Sequence, residues 1–174
     1  MSRTSGIFLW VLLAVQVLSR KFDRGRIHAL RKRLHKIPDR LDKLFMDILR
    51  RDGQNMEELI LCLQWILFAG RPLKREKLYF AIIDEVEPET LGAWNPEEIT
   101  VEDVERFVLS SSKGLADITR SKDRTVQFIH ESVRDFLLKG NGLERALKGM
   151  LPELPEDRYR PAFFFAGAST YRKF

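Results

Sequence analysis

From residue 59 to residue 69 every position is apolar except Gln64, a pattern that predicts a helix buried on nearly all sides. Gly70 and Pro72 supply its stop signal. Residues 7–18 are also apolar almost all round, as expected of a helix in the middle of a bundle. Elsewhere the apolar positions fall on one face. Ile27, Leu30, Leu34 and Ile37 form one such stripe, and Leu41, Leu44, Phe45, Ile48 and Leu49 form the next. Pro38 separates them, because proline fits the first turn of a helix but not its interior, and Asp39 suits the positive end of the new helix. Leu78, Ala81 and Ile82 predict a helix over 74–87, ended by Pro88. After a loop over 88–98, Thr100-Val101-Glu102-Asp103 has the spacing of a capping box, and Val104, Phe107 and Val108 continue as a helix closed at Gly114.

The period then drops from four to two. Val126 and Phe128 alternate with Gln127, the signature of a half-buried strand, and residues 115–120 predict its partner across the polar turn 121–124. Helical spacing returns in Val133, Phe136 and Leu137 before Gly140 and Gly142. His130 stands at the junction, with the strand parity of Val126 and Phe128, and is expected to point inward where the helix begins. The turn-rich 52–55 is the best boundary. The expected fold is therefore mainly α: a helical subdomain over 1–52, then a winged helix over 57–140 (three helices, one small β-hairpin, a final helix). The tail 141–174, with Pro152, Pro155, Pro161 and the cluster Phe163-Phe164-Phe165, yields no clear element.

Composition agrees with a folded protein: 44% hydrophobic and 32% charged residues in 174. The single cysteine, Cys62, rules out an internal disulfide, fits a reducing, cytoplasmic setting, and lies in the apolar run as a small hydrophobe. The net charge of +5 is unevenly spread. Residues 20–51 hold twelve Lys/Arg against four Asp, whereas residues 57–139 hold eleven basic against sixteen acidic. A nucleic-acid reader concentrates positive charge on its reading element, so a DNA-binding winged helix is the alternative rather than the first reading. The apolar run 7–18 is too short to span a bilayer and lacks a small-residue cleavage site, so neither membrane insertion nor secretion is expected.

Four segments resemble fungal NACHT-type signalling NTPases: Gly6-Ile7-Phe8-Leu9-Trp10-Val11, Ile37-Pro38-Asp39-Arg40-Leu41, Leu63-Gln64-Trp65-Ile66-Leu67-Phe68-Ala69, and Phe128-Ile129-His130-Glu131-Ser132-Val133-Arg134-Asp135-Phe136-Leu137. The resemblance covers about residues 6–143. It implies the helical tail of a NACHT module followed by the winged helix often labelled after GPI inositol-deacylases. An NTPase core would then lie before residue 1 and ankyrin or other repeats after Leu143, making the chain a middle piece of such a protein. Ile129-His130-Glu131 is similar to the Met-His-Asp motif of related NTPases, whose histidine touches the phosphate of bound ADP; Glu131 departs from the aspartate. By this resemblance His130 is the one cofactor-contacting residue, and only within a full-length parent. The alternative is a histidine hydrogen-bonded within the hairpin.

No catalytic constellation is evident. The chain has neither a phosphate-binding Gly-x-x-x-x-Gly-Lys-Ser/Thr nor a Gly-x-Ser-x-Gly nucleophile elbow. His28 and His35 lie seven residues apart without cysteine partners, too far for one metal on a single helix. The expectation is a non-enzymatic regulatory or interaction module, needing no cofactor or metal of its own, whose partners are an NTPase core and repeat domains.

Overall fold

A computed structural model describes residues 3–22, 35–51, 55–89, 99–139 and 142–147. Among them the protein is mainly helical, with one two-stranded antiparallel sheet. The stripe from Ile27 to Leu34, most of the 88–98 loop and the tail from 148 onward lie outside the described residues. The chain divides into two compact units. The first comprises 1–52 with 130–147, and the second is built on 53–129. The first division falls beside the expected boundary at 52–55. The second falls at 129/130, so the helix after the hairpin, read from sequence as the last element of 57–140, groups with the N-terminal segment.

The first unit contains α1 (Arg3–Phe22), α2 (Leu41–Arg50), α6 (Glu131–Leu138) and α7 (Gly142–Leu147). α1 takes in the apolar run and extends it at both ends. Only one face is covered: Leu9, Leu13 and Ala14 are buried, while Ile7, Phe8, Val11, Leu12 and Val15 are exposed. The expectation of burial all round is corrected here, since among the described helices α1 packs chiefly against α2. No helix among the described residues is long and apolar enough to cross a membrane.

α2 buries the stripe read from the sequence, Leu44, Phe45, Ile48 and Leu49. Its N-cap is Arg40, so Asp42 rather than Asp39 occupies the first turn, where it meets the Arg40 guanidinium through two 3.0 Å contacts. Phe45 packs on Phe136 of α6 with ring centroids 5.1 Å apart, beside buried Val133 and Leu137. The Trp10 indole N–H donates to the Pro38 carbonyl at 2.6 Å, tying α1 to the entry of α2. At Gly142 a Cβ would overlap the carbonyl oxygen of Phe136, which is how α7 folds back tightly after α6.

The second unit runs α3 (Met56–Phe68), α4 (Arg75–Val86), α5 (Val101–Ser111), β1 (Ala116–Ile118) and β2 (Val126–Phe128). Its core joins Cys62, Leu78, Ile82, Val108, Ala116 and Val126, so every element contributes at least one buried side chain. Most of the α3 run is buried, including Gln64, but Leu61, Trp65 and Ile66 are only partly covered and Phe68 is exposed, which corrects the expectation of burial on nearly all sides. The capping box forms: Thr100 Oγ1 accepts from the Asp103 amide at 3.2 Å, and Asp103 Oδ2 accepts from the Thr100 amide at 3.1 Å. The far end of α5 closes differently from the expectation at Gly114. Lys113 takes the left-handed conformation (φ 52°) usually given to glycine, with Gly114 (φ 77°) following. Their amides bond back to the carbonyls of Ser110 and Leu109, each at 2.9 Å.

One feature of the sheet has no counterpart in the sequence pattern. Lys74 forms an antiparallel bridge with Thr125, the Val126 amide donates to Leu73 at 2.8 Å, and the Arg75 amide donates to Arg124 at 3.2 Å. The segment entering α4 thus lies along β2 as a short third edge.

Candidate functional site

The hairpin is registered Ala116 with Phe128, Asp117 with Gln127 and Ile118 with Val126. Its turn is held by side chains as well as backbone. Thr119 Oγ1 accepts from the Thr125 amide at 3.0 Å and lies 2.8 Å from Ser121 Oγ, and the Arg124 amide donates to the Ser121 carbonyl at 3.1 Å. Beyond the last strand residue the pairing continues for one more bond, from the Ile129 amide to the Leu115 carbonyl at 3.1 Å.

His130 comes next, still extended (φ −160°, ψ 148°), as the N-cap of α6. It is half-buried, and Val126, two turns of the pleat earlier, is the fully buried member of the same parity. The imidazole Nδ1 accepts from the Ser132 amide at 3.0 Å, and the His130 carbonyl accepts from the Val133 amide at 3.0 Å. Two amides of the helix start are therefore engaged by His130 itself. An accepting Nδ1 places the proton of the neutral ring on Nε2. His130 Nδ1 thus serves as a helix cap. Histidine is not among the usual N-cap residues, so the sequence carried no signal for it.

The neighbouring Glu131 is exposed and lies 3.9 Å from Arg134. His35 is exposed, while His28 lies outside the described residues. No group of three potential metal ligands occurs among the described residues. Cys62 is fully buried, and desolvation, helped by the nearby Glu58 carboxylate, pushes its thiol up to about 12. It is no nucleophile near neutral pH.

Glu58, in the first turn of α3, is a polar feature of the second unit. It is half-buried, and the Ser111 hydroxyl donates to it at 3.2 Å. Burial pushes its carboxyl above the ordinary value of 4.5; the Ser111 bond opposes this, and the charge of Glu87 adds to it. The folded state therefore holds the proton more tightly than the unfolded chain. The resulting stabilisation is complete below 4.5 and is lost as pH rises through the folded value. Asp103 runs the other way, because bonds from Thr100 lower its pKa and its contribution disappears as pH falls below 3.8. Glu58→Gln is expected to flatten the stability change just above pH 4.5 and to raise stability at neutral pH. Urea unfolding across that range checks it; an unaltered pH profile would count against the assignment.

The chain is 33% identical over 144 residues to the vegetative incompatibility protein HET-E-1 of Podospora anserina. That alignment takes in 79% of this chain but only 9% of the relative's length. The likeness supports a NACHT-related family for the chain. No protein-family profile and no solved structure matches it.

Proposed function

We propose that the chain is a non-catalytic regulatory module of the kind found in NACHT-type signalling NTPases. Its second unit acts as a winged helix, and His130 serves as a contact to ADP held by an NTPase core. The alignment of most of the chain with a short stretch of HET-E-1 carries this reading. The order of elements supports the winged-helix part: helix, short edge segment, two helices, then a hairpin whose second strand pairs with that edge. The position of His130 supports the histidine role, since it caps the start of α6 immediately after the hairpin. Repeat domains of the same parent are the further partners, and the setting is cytoplasmic.

In this reading His130→Ala removes a contact made only when the module closes on the core. A hydrogen bond to a charged phosphate contributes about 1.5–3 kcal/mol, so the closed population falls by about tenfold or more. The test is capture of a separately purified, ADP-loaded NACHT core by the wild-type and His130→Ala chains, with calorimetry of ADP against the chain alone. The expected results are ADP-dependent capture weakened by the substitution, and no saturable ADP binding by the isolated chain. Equal capture by both chains would leave His130 as a helix cap only. The nucleic-acid alternative is disfavoured by α5, the helix that would face DNA, which carries Glu102, Asp103 and Glu105 against Arg106.

A further inference from the structure

The turn of the hairpin carries a charge pattern that the regulatory reading leaves unused. Arg120, Lys122 and Arg124 are all exposed within five residues. None of their side chains forms a hydrogen bond or ion pair among the described residues. Elsewhere in the same unit Arg75 is tied to Glu76 and Glu105, and Arg106 to Asp103, while the exposed Arg71 and Lys77, unpaired among the described residues, stand singly rather than clustered in a turn. Lys74 adds a fourth cation beside the turn, held there by its bridge to Thr125. One acid lies among them, Asp123, whose carboxylate is 3.4 Å from Lys74 Nζ. The turn itself is braced by the Thr119, Ser121 and Thr125 bonds, so little backbone order is lost when something docks on it.

We propose that this hairpin tip is a docking point for an acidic protein segment. Three features favour that partner over a duplex nucleic acid. The cations are confined to one tight turn, a footprint suited to a cluster of Asp and Glu rather than to phosphates strung along a groove. The Asp123 carboxylate lies 3.4 Å from Lys74 Nζ, so a carboxylate fits beside one of these cations. A winged helix laid on DNA would bring α5 against the phosphates together with the hairpin, and the Glu102, Asp103 and Glu105 side chains would be repelled. This inference builds on the reading of the second unit as an interaction module, but it involves neither ADP nor His130.

The probe is a fluorescein-labelled decaglutamate peptide, followed by anisotropy against the full chain at low ionic strength. The wild-type chain is expected to bind it, and binding should weaken as salt rises and shortens the Debye length. Arg120→Glu combined with Lys122→Glu should lower affinity by about tenfold, since each reversal replaces an attraction with a repulsion. Lys36→Glu with Lys43→Glu makes the same change in net charge at exposed sites in the first unit and should leave affinity within about twofold. Thermal melts of each variant confirm folding. Absence of wild-type binding, or equal losses in the two double variants, would overturn the proposal. So would tighter, tip-dependent capture of a short DNA duplex. Any of these leaves the ADP-dependent capture of the core untouched, so the two readings fail separately.

Discussion

Phe45→Ala is expected to lower the stability of the first unit by about 3–5 kcal/mol. The side chain is 1% exposed, packs against Phe136 with the rings tilted by 44°, and shares the buried face of α2 with Leu44, Ile48 and Leu49. Removing the ring loses its transfer free energy and leaves a cavity that α2 and α6 can close only in part. Domains are commonly stable by only about 5–15 kcal/mol, so the loss is a large share of the total. Hydrogen exchange of α2 amides, with chemical denaturation of the same samples, measures it. Phe45→Leu should recover much of the difference because it keeps most of the volume. A loss below about 1 kcal/mol for the alanine variant would mean that Phe45 is not central to the packing.

Leu78→Ala carries the second large effect, about 2–5 kcal/mol. Leu78 is fully buried in the cluster that joins α3, α4, α5 and both strands. Its loss should loosen the hairpin as well as the helices, because Ala116 and Val126 rest in the same cluster. Exchange of the Val126 amide, which bonds to Leu73, is the local reporter, and it should speed up in the variant. Unchanged protection there, together with lowered protection in α4 alone, would contradict a single cooperative core.

The parts of the fold written most plainly in the sequence are those where periodicity and burial coincide. The apolar run of α3, broken only by Gln64, the stripe of α2 and the switch of period at the hairpin all announce elements that the structure contains. The capping box was equally legible, since Thr100 and Asp103 need only each other. What was hidden depends on neighbours distant in sequence. Hydrophobicity marks α1 as a helix but does not say which of its faces finds α2. The edge segment at Leu73 and Lys74 follows Pro72 with no alternation to mark it, and exists because β2 offers amides and carbonyls there. The grouping of α6 with α2 turns on the meeting of Phe45 and Phe136, 91 positions apart along the chain (136 − 45). At the candidate site the position of His130 between strand and helix was readable, whereas its use of Nδ1 as a cap was not, because local preference favours other residues for that task.

The tight return at Gly142 bears on how relatives of this chain can be recognised. A side chain there collides with backbone, the carbonyl oxygen of Phe136, and not with a flexible neighbour that could swing aside. Any amino-acid replacement at this codon introduces at least a Cβ, and the helix pair must then reopen its connection. When overall identity falls to a third, as with HET-E-1, one obligatory small residue discriminates better than many tolerant apolar ones. Sequences that align through α6 and keep glycine at this position are expected to share the fold-back; those that replace it should show an altered spacing between the two helices.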